Sequence, residues 1–164
     1  MALKDALLPE FDHEMGTTRR LLERVPDADL TWKPHEKSFS LGHLAAHLAN
    51  LLTWVDIACD NAIFDVLTLD NRSRDAESKA EILQTFDANV RRARARIAEQ
   101  TDSALLSPWT MTQGQHEMFT MPKAAVLRTF VMNHMIHHRG QLTVYLRLRN
   151  VPLPSIYGPT ADEG

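Results

Sequence analysis

The sequence predicts an all-α protein: a four-helix bundle with a short hairpin or irregular segment between helices 3 and 4. Four long stretches repeat apolar residues at helical spacing, and only Ser107 to Met121 lacks that period. Turn-forming residues (Pro26, the polar run Asp70 to Asp75, Gly114) fall between these stretches. Four amphipathic helices with little β signal bury their apolar faces against one another. At 164 residues, a single domain spanning 1–164 is expected, large enough for a core without staples.

The first helix spans 3–25, with Leu7, Phe11, Leu21, Leu22 and Val25 among its apolar positions. Pro9 implies a late start or a kink, and Pro26 ends the helix. Asp27 to Ser40 is a connector holding Trp32, Pro34 and a polar run around Glu36. Ser38 or Ser40 can cap a second helix from about residue 40 to the upper 60s, with Leu41, Leu44, Leu48, Leu51, Leu52, Val55 and Ala58 inward. After the Asp70 to Asp75 break, Ser78-x-x-Glu81 has the form of a capping box. It opens a third helix running to about Gln100, with Ile82, Leu83, Phe86, Val90 and Ile97 inside.

Gly114, between Trp109–Thr112 and Phe119–Met121, permits a short hairpin. Thr120 as cap and Pro122 in the first turn open the last helix, which runs to about Arg149. The tail from Val151, with Pro152, Pro154, Gly158 and Pro159, should be extended. Chain order alone does not decide which helices are neighbours.

The composition is that of an ordinary globular protein, 44% hydrophobic and 24% charged, and the formal net charge of −3 gives no general attraction to nucleic acid or an anionic membrane. The single cysteine, Cys59, rules out an intramolecular disulfide and any CxxC motif, and reads as a small buried hydrophobe. No apolar run reaches the length of a membrane span, and Asp5, Glu10 and Asp12 stand where a signal peptide would not have them. A cytoplasmic location is expected.

The chemistry concentrates in His134-Met135-Ile136-His137-His138-Arg139-Gly140-Gln141. A helix advances about 100° per residue, so His134 and His138 stack on one face. Leu127, Val131, His134, His138, Gln141, Tyr145 and Leu148 then form one stripe, apolar at its ends and polar in its middle. Imidazoles are costly to bury without partners, and His at i and i+4 is a recurring metal-ligand geometry. Spacing alone leaves metal ligation and hydrogen-bonded core histidines both open.

The second helix offers His43 and His47. Helical steps put His47 about 80° from the centre of the apolar face and His43 about 120° away, which favours His47 and leaves His43 facing solvent. Ala45 and Ala46 stand where a zincin motif has its Glu and the residue after it, so no general base accompanies the pair. His137 points away from His138, and His13, His35 and His116 have no supporting spacing. Gly140, inside a helix, suggests close approach of a neighbouring helix or ligand.

Three stretches carry a resemblance: Trp32-Lys33-Pro34 with Ser38-Phe39-Ser40-Leu41-Gly42-His43-Leu44-Ala45-Ala46-His47-Leu48, then His134 to Leu142, and the tail Val151 to Gly158. On these the chain resembles the DinB/YfiT-like metal-dependent four-helix-bundle proteins. The resemblance implies a divalent metal, zinc or nickel, held by three His, and the pattern carries over to His47, His134 and His138. It further implies either metal-dependent hydrolysis or transfer reactions using a low-molecular-weight thiol such as bacillithiol or mycothiol. Relatives are often homodimers, so a homodimer is expected, with a small-molecule substrate or thiol as partner.

Three neutral imidazoles leave the full charge on a dication, which favours an anionic fourth ligand and an open, catalytic arrangement. Thiol chemistry is favoured over hydrolysis because no carboxylate near the stripe offers a general base. The alternative is a non-catalytic metal- or ligand-binding bundle. Gln141 and Tyr145 follow the His pair and could orient a ligand or contact a cofactor or substrate; a polar residue at the bundle mouth and an amphipathic core aromatic explain them as well. Arg139 reads as a surface salt bridge ahead of a contact for a substrate carboxylate, Trp32 and Trp54 as pocket or core aromatics, and Arg91, Arg92, Arg94 and Arg96 as a solvated face ahead of a partner-binding patch.

Overall fold

The structure, a computed structural model, describes residues 2–69 and 75–163. Four long helical segments form the bundle: α1 (Leu3–Leu22), α2 with α3 (Leu41–Asn50 and Thr53–Asp60), α4 (Lys79–Ala98), and a final segment ending in α7 (His134–Leu148). A short helix α5 (Asp102–Leu106) follows α4. Each of α1 and α2 packs against both α4 and α7, which settles the neighbours that chain order left open. The connector after α1 therefore crosses one end of the bundle, and it holds only a 3-10 turn at Asp27–Asp29.

The helices start where side chains satisfy their first amides. Ser40, not Ser38, caps α2 by accepting from the His43 N–H at 3.0 Å. Ser78 accepts from the Glu81 N–H at 3.1 Å, while Glu81 reaches back to the Glu77 N–H at 2.8 Å. Helix α1 already begins at Leu3 and contains Pro9, so no late start occurs. It ends at Leu22, three residues short of the expected Val25, which closes a turn onto the Leu22 carbonyl.

The second predicted helix is interrupted. Trp54 and Val55 donate to the Leu51 and Leu52 carbonyls in i→i+3 bonds that separate α2 from α3, and α3 stops at Asp60 rather than in the upper 60s. The following β-branched and aromatic residues instead make a strand, β1 (Ile63–Asp65), parallel to β2 (Pro108–Gln113). The expected hairpin is present as β2 with β3 (His116–Pro122), antiparallel, with Gly114 in its turn at φ +61°. The result is a three-stranded sheet in the order β1-β2-β3. Asp65 clamps the two ends together, its carboxylate accepting from the amides of Leu67 and Gly114, each at 3.0 Å. Most of the Asp70 to Asp75 break lies outside the described residues.

Thr120 does not cap the last helix. It pairs with Thr110 in the sheet, their hydroxyls 2.7 Å apart, and Pro122 occupies the cap position before α6 (Lys123–Val126). Between α6 and α7 the chain is wound as a π-helix over Leu127–Asn133. Trp109, fully buried, sits between sheet and bundle with Phe64, Phe119 and Phe130 around it at 6.3–6.4 Å. Trp54 stacks on Phe130 at 5.2 Å, so its role is packing.

The arginine cluster is the solvated face expected of it, and ion pairs cross it. Arg92 pairs with Asp56 at 2.8 Å, Arg94 with Asp12 at 2.8 Å, and Arg96 with Asp60 and, at 3.3 Å, Glu99. The tail from Val151 to Glu163 has neither helix nor strand but bends at 156–158 and 161–162 instead of running extended throughout, and it is held by its own acids: Asp162 to Arg147 at 2.5 Å and Glu163 to Arg24 at 2.7 Å. No helix among the described residues is long and apolar enough to cross a membrane.

Candidate metal centre

The face of α7 that enters the core is not the stripe read from the sequence. Met135, Arg139, Leu142 and Leu146 are buried, whereas His134, His138 and Tyr145 are half-buried, Gln141 is exposed and Leu148 is 55% exposed. The π-wound turn accounts for the error, because its wider winding changes the phase between Leu127 and His134. The histidines therefore border the core instead of interrupting it, which lowers the cost of holding them there.

Across from them, Leu44 and Leu48 turn inward on α2 and leave His47 half-buried at the same border. The rings of His47, His134 and His138 converge: centroids are 5.3 Å apart for His47–His134 and 4.6 Å for both His47–His138 and His134–His138. One ligand nitrogen from each lies within 4.8 Å of the others. These three form a cluster capable of coordinating a metal ion, and among the described residues no carboxylate or thiol joins it.

The tautomers suit that use. Gln141 Oε1 lies 2.7 Å from His138 Nδ1, so Nδ1 carries the proton and Nε2 turns its lone pair inward. His138 Nε2 is 2.8 Å from His134 Nε2. The Phe130 backbone carbonyl acts on the His134 ring as an acceptor. Two imidazole nitrogens this close need a shared partner, either the N–H hydrogen of one neutral ring or a cation held by both. Burial and neighbouring imidazoles depress all three basicities, that of His47 to about 4. At neutral pH the cluster is thus uncharged and in the form that binds a metal. The donor set fits a divalent transition metal, without choosing among zinc, nickel and their neighbours.

The surroundings include residues the sequence did not bring forward. Phe39, 46% exposed, covers the outer side, its ring 4.4 Å from His43 and 6.2 Å from His47. His43 is not simply solvent-facing: it is half-buried, with Nδ1 2.9 Å from Asp75 Oδ1. This pairing spans 32 residues, which no local spacing could reveal. His137 is exposed, with its ring edge-on to His138 at 4.9 Å, and His13, His35 and His116 are exposed as expected. Tyr145 meets Trp32 edge-on at 5.9 Å, and the Arg149 guanidinium lies 5.4 Å over Trp32. Gly140 makes no close approach: a Cβ there would meet nothing within 4 Å. Cys59 is half-buried on α3, and burial pushes its thiol pKa up, away from reactivity.

Arg139 overturns its expected surface role. It is 1% exposed and pairs with Glu14 of α1 at 2.6 Å. Its one-residue offset from His138 carries it about 100° around the helix and into the core.

Helical bundle, small mixed sheet and converging rings together define a four-helix-bundle-like protein with a three-histidine centre suited to a divalent metal. The profile of the DinB family matches residues 1–164, and the chain belongs to that family. It is 26% identical over 163 residues to YrdA of Bacillus subtilis, covering 97% of this chain and 90% of that protein. A DinB-like protein from Bacillus cereus shares the fold with a TM-score of 0.73 at 22% identity, covering 93% of this chain and 97% of the other. A DinB-like protein from Bacillus subtilis does so with a TM-score of 0.71 at 19% identity, covering 93% and 99%.

Proposed function

We propose that this chain is a divalent-metal-dependent enzyme in which His47, His134 and His138 hold zinc or nickel and a low-molecular-weight thiol is the co-substrate of an S-transfer reaction. The observation that carries the reading is the convergence of three neutral imidazoles with no carboxylate among them. Such a donor set leaves the charge of a dication uncompensated and so favours a thiolate as incoming ligand. A bound metal would supply Lewis acidity and lower the pKa of the group it meets. Gln141 holds the His138 ring in the binding tautomer. Phe39 limits water on one side, and Tyr145 with Trp32 offers an aromatic wall two turns along α7 for the substrate.

A specific observation favours metal-dependent hydrolysis as a second reading. Asp75 on His43, four residues before His47, supplies the carboxylate–imidazole pair that the sequence lacked as a general base.

One experiment separates them. The cobalt-loaded protein is titrated with a panel of small thiols while its visible spectrum is followed, and the same preparation is screened against esters and amides. A thiol-dependent change in the cobalt bands supports S-transfer. No change with any thiol, together with hydrolysis that Asp75→Asn abolishes, replaces it with the hydrolase. Metal uptake with neither response leaves a metal-binding bundle and sinks both enzymatic readings.

A further inference from the structure

Beyond the metal centre, the most unusual group in the molecule is the charge pair in its core. Arg139 Nη2 meets Glu14 Oε2 at 2.6 Å, with the two side chains 1% and 7% exposed. Arg139 Nη1 also donates to the Glu14 backbone carbonyl at 3.1 Å and to Thr18 Oγ1 at 3.2 Å. Nη2 donates to the Tyr157 hydroxyl at 2.5 Å, which in turn donates to the Glu14 carboxylate at 2.9 Å. The network thus joins α1, α7 and the tail. Buried ion pairs of this kind often stabilise a fold no better than well-packed apolar residues of similar size, so their presence points to specificity.

We propose that Glu14, Arg139 and Tyr157 are positioning residues that fix the rotation and axial register of α7, and that His134 and His138 reach metal-binding position through them. The inference rests on the metal reading above. Its physical basis is adjacency: Arg139 follows His138 directly, so any turn of α7 that moves one moves the other. The other core residues of this face, Met135, Leu142 and Leu146, are apolar and tolerate small slips. A slip of Arg139 would strand a charge in the core. Such a lock matters here because the π-wound turn ends at Asn133, directly before His134, and a change in its winding would rotate α7 as a whole. Tyr157 lies on the surface with its hydroxyl reaching inward, so docking of the tail completes the lock.

The test is the double substitution Glu14→Leu with Arg139→Met, with Tyr157→Phe as a milder companion. Cobalt affinity, the visible cobalt spectrum, and the ring-proton NOEs between His47 of α2 and His138 of α7 in the metal-free protein are measured beside the melting temperature; the two ring centroids are 4.6 Å apart. The double variant is expected to melt at or above the wild-type temperature and yet bind cobalt about tenfold or more weakly. Its cobalt bands should shift, and the His47–His138 NOEs should weaken. Tyr157→Phe should show the same changes to a smaller degree. Wild-type affinity, spectrum and NOEs in the double variant would overturn the proposal. If the double variant does not fold, Tyr157→Phe decides by the same readouts. If the wild type takes up no cobalt, the metal reading falls, and the NOEs still decide whether the lock sets the ring against α2.

Discussion

His134 Nε2 and His138 Nε2 lie 2.8 Å apart, so one of them must carry the hydrogen that the other accepts. With the His138 Nδ1 proton engaged by Gln141, the inner nitrogen of His138 is an acceptor. A metal ion brought to the pair and to His47 replaces the shared proton with a stronger common partner. Untagged protein should therefore carry about one equivalent of metal, and His47→Ala or His134→Ala should each abolish it. Mass-spectrometric metal analysis of the three proteins checks this. Metal-free wild type that takes up no zinc or nickel would return the rings to a structural role.

Gln141 is exposed, so its side chain contributes little to packing, but among the described residues it is the hydrogen-bond partner of the outer nitrogen of His138. Gln141→Leu should weaken metal binding by about 10- to 100-fold with little change in melting temperature. Chelator competition measures the first and calorimetry the second. An unchanged affinity would mean that the ring is held by its neighbours and not by the amide.

The depressed basicity of the cluster also sets a pH dependence. His47 titrates near 4 in the folded chain, against an ordinary value of 6.5, because it is desolvated and faces two other imidazoles. Between those values the unfolded chain binds more protons than the folded one, so stability rises with pH. The contribution is complete above about 6.5 and is lost as pH falls through about 4. Chemical denaturation of the metal-free protein across this range should show the decline, and His47→Gln should make it shallower, with the depressed His134 and His138 supplying what remains. Saturating metal should raise the melting temperature at neutral pH, an increase removed by a chelator.

Much of this was legible in the chain. The helical periods located the bundle, and the i, i+4 spacing with the border position of His47 led to the three rings. What failed, failed for two physical reasons. The π-wound turn changed the phase of the last helix, so the stripe containing His134 looked core-facing while Arg139, the deeply buried residue, looked superficial. Long-range pairing was equally hidden: β1 forms only because β2 offers it an edge, and Asp75 reaches His43 only once the chain has folded.

Two glycines should respond in opposite directions to the same substitution. Gly42 packs under the connector, and a Cβ there would lie 2.9 Å from the Leu30 backbone oxygen, an atom already fixed by accepting the Gly42 N–H at 2.8 Å. Gly42→Ala must push the connector off α2 and should cost about 1–3 kcal/mol. Gly140 has open space where its Cβ would be and sits within a regular helix, so Gly140→Ala should stabilise by up to about 1 kcal/mol through the unfolded state. Urea denaturation of the two variants checks both signs. Because Gly140 lies between Arg139 and Gln141, its substitution also tests whether that open space serves a ligand. Higher stability with unchanged metal affinity but lost substrate or thiol binding would place the ligand over Gly140, whereas higher stability with every binding property intact would leave the glycine without a role in the site.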